Sequence, residues 1–303
     1  MRIIVTGREG QVARALRALA DETVEIVALA RPELDLADPG SIEPALAAAR
    51  PDVIVNAAAY TAVDKAEADE ASACAVNAIG AGAIADAAAS LGVPVVHIST
   101  DYVFDGRLGR PYREEDPVAP LGVYGRSKAA GEIAVGAAGA NHATLRTAWV
   151  YSPHGANFLR TMLRLAGERE VVRVVADQRG APTAAADVAT GALAVARRLA
   201  GDPASNLRGV FHMTAAGEAS WADFAEAIFA ESAARGGPSA RVERIGTRDY
   251  PTPAPRPADS RLDCTRLAAR HGVRLPHWRA RVGETVAAHL AEARTPELGR
   301  GDA

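Results

Sequence analysis

A phenol and an amine stand four residues apart in Tyr124-Gly-Arg-Ser-Lys128, a spacing that puts both on one face of a helix. Upstream lies Ser99-Thr100-Asp101-Tyr102-Val103-Phe104-Asp105-Gly106. A hydroxyl, a carboxylate, a phenol and an amine brought together form a proton-transfer kit. Ketone reduction is the chemistry it suits: hydride reaches the carbon while a proton reaches the oxygen. A phenol with a pKa of about 10 is a poor base at neutral pH, and a neighbouring ammonium lowers that value by favouring phenolate. Lys128 is expected to act this way on Tyr124 and to hold a nicotinamide ribose. Thr100 is expected to hydrogen-bond the substrate oxygen and orient it for Tyr124. Tyr-x-x-x-Lys is common by chance, so its weight comes from what precedes it.

Those residues need a strand end to sit on. The run 93–98 is short, apolar and β-branched, and reads as a buried parallel strand. In open α/β sheets the chemistry gathers beyond the carboxyl ends of strands, where Thr100 and Asp101 fall. A first strand, 2–6, enters Gly7-Arg8-Glu9-Gly10-Gln11-Val12-Ala13, followed by a helix to about Ala20. Gly7 permits the turn, Gly10 admits a pyrophosphate to backbone amides, and Ala13 lets helix and strand pack closely. Dinucleotide binding is the expectation. After the second strand, 24–29, an acid for an adenosine ribose would be usual, yet Ala30 and Arg31 stand there. An arginine accommodates a 2′-phosphate, which favours NADPH over NADH. Asp35-Leu36 is placed to reach the adenine. The strand 51–55 leads into Asn56-Ala57-Ala58-Ala59-Tyr60, where small side chains leave room for a cofactor. Asn77, inside a helix, has a side-chain task.

The totals are compatible with a cytoplasmic enzyme. The 303 residues suffice for one large α/β domain and a smaller one. The net charge of −3 and pI near 6.2 give no support for a nucleic-acid partner. Cys74 and Cys264 make no disulfide framework and match no metal-ligand spacing. Residues 1–5 read as a strand rather than a signal peptide, and no apolar run approaches the roughly 20 residues of a membrane span.

Further along, 143–151 reads as one strand with Trp149 near its carboxyl end, an indole able to cover a sugar. Residues 158–167 read as an amphipathic helix and 171–175 as a strand. A turn at 178–183 leads to a helix over 187–199, and 209–213 reads as a strand. Ser220-Trp221-Ala-Asp223 is a capping box, so Trp221 reads as structural. Residues 231–247 read as a loop. Prolines 251, 253, 255 and 257 make a stiff segment presenting Arg256, which suits a diphosphate or a surface staple.

With these residues in hand, the sequence resembles the extended short-chain dehydrogenase/reductases, and within them the dTDP-4-dehydrorhamnose reductase family. The likeness runs through Gly7-x-x-Gly10-Gln11, residues 56–67, residues 99–106 and Tyr124-Gly-x-x-Lys128. It continues in Arg146-Thr-x-Trp149-Val-Tyr151, Asn157-Phe158, residues 177–183 and Arg256-Pro-x-x-Ser260. It implies a Rossmann-like doubly wound parallel sheet with a smaller mixed α/β C-terminal substrate domain. The cofactor domain would be 1–151 with part of 175–215; the substrate domain would be 152–175 and 215–295; 296–303 would be a tail. Tyr124 would give the proton, with Lys128 and Thr100 in support. Gly7, Gly10, Gln11, Val12, Arg31, Asp35, Leu36, Ala58, Ala59, Tyr60, Tyr124 and Lys128 would bind NADPH or NADH. Thr100, Asp101, Tyr102, Trp149 and Arg256 would bind the nucleotide sugar. Some members carry glutamates that hold Mg²⁺ between subunits, but Ala15 and Ala186 stand there, so both monomer and homodimer remain open. Two other readings also stay open: a nucleotide-sugar epimerase or dehydratase, and a non-catalytic regulatory homologue.

Overall fold

The computed structural model describes residues 1–139 and 141–294; the 296–303 tail lies outside them. The first half alternates strand and helix: β1 (Arg2–Thr6), α1 (Gln11–Arg17), β2 (Glu25–Leu29), α2 (Pro39–Ala49), β3 (Val53–Asn56), α3 (Val63–Ala66), α4 (Glu70–Cys74), α5 (Ala81–Leu91), β4 (Val95–Thr100), α6 (Val123–Ala138) and β5 (His142–Thr147). The second half runs β6 (Val150–Tyr151), α7 (Phe158–Glu168), β7 (Val171–Val175), β8 (Arg179–Gly180), β9 (Thr183–Ala184), α8 (Ala185–Gly201), β10 (Gly209–His212), β11 (Ala219–Ser220), α9 (Trp221–Ala233), β12 (Arg241–Ile245), α10 (Thr265–His271) and α11 (Val282–Arg294).

Six strands form one parallel sheet in the order β10-β5-β4-β3-β1-β2. Both faces are covered, which is why β1 and β3 carry unbroken apolar runs, 3–5 and 53–55, rather than alternating. Ile3, Val5, Val53 and Val55 join α1 and α8 in one core. Ile4 and Ile54 point the other way, onto Ile42, Leu46 and Ile84 of α2 and α5. Truncating one of these fully buried isoleucines to Ala costs about 2–5 kcal/mol. A separate core joins α7, α9 and α11 to β7.

Several expectations change. α1 ends at Arg17 rather than near Ala20. The expected strand 143–151 breaks at Ala148-Trp149, because Trp149 has a left-handed backbone, φ +49°. Residues 241–245, expected in a loop, form β12 and pair in parallel with β7. α4, a π-helical stretch Ala75–Gly80 and α5 make one helical run, Glu70–Leu91. It has 22 residues, so a helix long and apolar enough to match a membrane span by length and composition does exist. In this fold it supplies Ile84, Ala85, Ala87 and Ala88 to the core under the sheet.

α6 packs on the turn after β4 and on the π-helical stretch through glycines. A Cβ on Gly125 would stand 2.2 Å from the Tyr102 carbonyl oxygen, and one on Gly131 2.0 Å from that of Asn77. Backbone therefore meets backbone at both ends of the helix face that carries Tyr124 and Lys128. Gly167 in α7 has no such neighbour. Gly131→Ala is expected to destabilise the chain by about 1–3 kcal/mol, whereas Gly167→Ala stays neutral or gains up to about 1 kcal/mol. Denaturant midpoints for the pair check this; equal shifts would contradict the contact.

Candidate active site

The strand ends that matter are those of β1 to β5. Gly7 leaves β1 at φ +86° with its amide bound to Leu29 O at 2.7 Å, and a Cβ there would lie 3.3 Å from that of Ala58. Gly10 caps α1 and borders open space: a Cβ would meet nothing within 4 Å. Ala58, against Gly7, and Ala59 are half-buried, and Val12 is buried on α1. A glycine-lined turn at the start of a helix, facing alanines at the next strand end, fits a dinucleotide pyrophosphate. Gln11 ties this turn to the second half, accepting from Asn157 Nδ2 at 2.9 Å and donating to Val150 O at 3.4 Å. Arg31 is exposed past β2. Arg8 lies over the same strand end, its Nε on Ala28 O at 3.3 Å and its Nη2 3.2 Å from Glu33. Asp35 uses Oδ1 to accept from Ala37 N at 2.9 Å, and Leu36 is buried with its carbonyl against Gly80.

Asn56 does not face the crevice. It is buried, accepts from Thr6 Oγ1 at 2.7 Å and meets His97 Nδ1 at 3.1 Å, while Thr6 Oγ1 accepts from Ala58 N. It ties neighbouring strand ends together and sets the path of the alanines. Asn77 fixes the next step. Its Oδ1 accepts from Tyr60 N at 2.8 Å; its Nδ2 donates to Tyr60 O at 3.0 Å and to Ser127 Oγ at 2.9 Å. Ser127 Oγ in turn donates to Tyr124 O at 2.8 Å. The π turn, a wider turn often found at functional sites, aims Asn77 between the Tyr60 loop and α6.

Thr100 and Asp101 lie against Tyr124, and Lys128 is buried one turn further along α6. Thr100 Oγ1 donates to Asp101 Oδ1 at 3.0 Å and accepts from Tyr102 N at 3.2 Å. Burial pushes the Asp101 carboxyl up to about 6, with Ser260 and Thr100 pulling it back. Its Oδ2 has no hydrogen-bond partner among the described residues. Tyr102 sets its ring edge-on to Tyr124, centroids 5.6 Å apart, and burial raises its phenol pKa. The expected action of Lys128 on Tyr124 is corrected here. Desolvation pushes the Tyr124 phenol up to about 12, Thr100 lowers it somewhat, and Asp101 raises it; Lys128 does not contribute. The reason is geometric: Lys128 Nζ donates to Ile98 O at 2.7 Å, on the β4 backbone. Burial brings Lys128 down to about 8, with Glu132 opposing. Glu132 sits one turn on, bound to Arg146 at 2.6–3.2 Å and accepting from Ser99 Oγ at 2.5 Å. The arrangement holds a neutral phenol and a buried cation, the protonation states a proton donor requires.

Trp149 stacks on Trp221, centroids 3.5 Å apart and planes at 6°. Arg256 is not free for a diphosphate: its Nη2 lies 2.9 Å from both oxygens of Asp64, and its Nη1 donates to Ala254 O. The surface staple is the contact observed. Among the described residues no cluster of three His, Cys, Asp or Glu side chains is placed to hold a metal.

The sequence matches the RmlD substrate binding domain family over residues 1–291. A dTDP-4-dehydrorhamnose reductase of Sinorhizobium fredii is 50% identical over 294 residues, 97% of this chain and 99% of its own. A solved dTDP-4-dehydrorhamnose reductase of Clostridium acetobutylicum aligns with a TM-score of 0.88 at 35% identity, over 96% of this chain and 100% of that one. Another, from Bacillus anthracis in complex with NADP, aligns at 0.86 and 34%, over 96% and 99%.

Sequence reasoning gave Asn77 a task without naming its partners, and took Trp221 as structural. Nothing in the pattern marked Glu132, although 124, 128 and 132 share one helical spacing. Asn77→Ala removes three hydrogen bonds, one buried and two part-buried, so the denaturant midpoint is expected to fall by the equivalent of about 2–4 kcal/mol. A loss below about 0.5 kcal/mol would mean that the Tyr60 loop does not depend on it.

Proposed function

The chain belongs to the RmlD family of dTDP-4-dehydrorhamnose reductases, and from that premise we propose how its residues reduce the C4 ketone of dTDP-4-dehydro-β-L-rhamnose to dTDP-L-rhamnose. The observation that carries the reading is the meeting of Thr100 and Asp101 at the end of β4 with Tyr124 and Lys128 of α6. The protein is an NADPH-dependent oxidoreductase. NADPH, when bound, supplies the hydride. Gly7, Gly10, Gln11 and Val12 would cradle its pyrophosphate, Asp35 and Leu36 would border its adenine, and Ala58, Ala59 and Tyr60 would line its path. Arg31, with Arg8 beside it, would face the 2′-phosphate. Residues 1–151 with α8 and β10 form the cofactor half in this reading and 152–175 with 215–295 the substrate half; the first core also takes in Leu267 and Val273, and the second gathers α7, α9 and α11.

Thr100 would hold the ketone oxygen and Tyr124 would protonate it. The reading is supported by a phenol held at about 12, which is fully protonated at neutral pH. The alkoxide formed is a far stronger base than phenolate, so the proton passes downhill. Lys128, cationic below about 8, would hold the nicotinamide ribose. Asp101 Oδ2 is available to a sugar hydroxyl, and Trp149 and Tyr102 offer ring surfaces. Arg256 reaches a diphosphate only by leaving Asp64.

Following NADPH oxidation with dTDP-4-dehydrorhamnose, and identifying the sugar formed, tests the function. One NADPH consumed per dTDP-L-rhamnose supports it. An epimerase or dehydratase recycles its cofactor and would show no net oxidation, and a regulatory homologue would show no turnover. Tyr124→Phe is expected to keep NADPH binding while losing about 10²–10⁴-fold in kcat; near-normal turnover would sink the mechanism. The wild-type rate is expected to fall as pH rises through about 8, where Lys128 loses its charge, measured as kcat/KM against pH. A profile flat to pH 10 would remove Lys128 from the proposed role.

A further inference from the structure

Trp149 sits in a left-handed backbone conformation, φ +49°, which an L side chain adopts only where its surroundings impose it. Its ring lies face-to-face on Trp221, 3.5 Å between centroids and 6° between planes. Aromatic pairs prefer offset or edge-on arrangements, so this stack too is held from outside. The holding groups can be traced. Trp221 opens α9 behind the capping box of Ser220 and Asp223. Its Nε1 donates to Gln178 Oε1 at 3.1 Å, and Gln178 Nε2 donates to Thr247 Oγ1 at 3.1 Å. Phe158 leans on it with centroids 4.6 Å apart. On the edge of Trp149, Gly180 leaves room for the ring: a Cβ there would stand 2.4 Å from Trp149 Cε2. Thr183 N donates to Trp149 O at 3.2 Å. Trp149 thus follows β5, a strand of the central sheet, while the groups that set its ring plane belong to the second half of the chain.

We propose that Trp221 is a positioning residue for the reduction: by stacking on Trp149 it sets the plane of the indole that orients the nucleotide sugar toward Tyr124. The inference rests on the reading above, in which Trp149 contacts that sugar. If Trp221 served only to fill the core, its loss would lower stability and leave substrate affinity alone.

Trp221→Leu and Trp221→Phe in the full chain separate the two. In Trp221→Leu, KM for dTDP-4-dehydrorhamnose is expected to rise by roughly tenfold to a hundredfold. The NADPH Kd, read by nucleotide fluorescence, should stay within about twofold. The near-UV circular dichroism of the stacked indoles should vanish, as it should in Trp149→Phe. Trp221→Phe keeps a ring on Trp149 and should recover most of the KM. Should the Leu variant fail to fold, Gln178→Leu, which frees Nε1, is expected to raise KM in the same direction with NADPH binding unchanged. An unchanged KM in variants that have lost the dichroism overturns the inference, as does a Phe variant no better than Leu. Wild-type protein that turns over no dTDP sugar overturns the functional reading, and this inference with it.

Discussion

The contact on which the rest depends is backbone against backbone: α6 lies directly on the Tyr102 carbonyl through Gly125 and on the Asn77 carbonyl through Gly131. A side chain at Gly125 would lift the helix off the turn after β4, and one at Gly131 would lift it off the helical run that carries Asn77. Close approach lets Lys128 reach Ile98 O and brings the Tyr124 phenol beside Thr100. It also excludes water, and exclusion sets both protonation states: desolvation holds the phenol neutral and draws the amine down toward neutrality. The same packing thus delivers position and charge.

Around that contact the polar groups form two tethers. Asn77 joins the Tyr60 loop to α6 through Ser127, so the cofactor-side loop and the Tyr124 helix move together. Glu132 and Arg146 form a buried pair one turn behind Lys128. Breaking such a pair by removing one partner is costly because the other charge stays buried. Here the pair ties α6 to β5, and Glu132 also takes the Ser99 hydroxyl from the strand that carries Thr100.

Much of this was legible in the sequence. Strands buried on both faces read as apolar runs, and the glycine turn, the alanines and the Ser99–Gly106 stretch stand at the strand ends where the sheet places them. What misled was context. Residues 241–245 carry three charged and two β-branched side chains without strict alternation, and pair with β7 at a distance that no local pattern records. The strand through Trp149 breaks because partners from residues 178–221 impose a backbone that its own residues would not choose. The Tyr124–Lys128 spacing was correct, but its electrostatics depend on burial and on the Ile98 carbonyl, and spacing alone suggested a lowered phenol pKa where the structure raises it.

The central claim is that Tyr124 gives its proton as a neutral phenol whose acidity is set by desolvation. Ring-labelled tyrosine NMR addresses it directly, with the Tyr124 ζ-carbon assigned by comparison with Tyr124→Phe and followed from pH 6 to pH 10, a window bounded above by about the ordinary tyrosine pKa. The account predicts a phenol signal unchanged across that range. A phenolate signal emerging near pH 7–8 would contradict it and return Lys128 to the role that spacing first suggested.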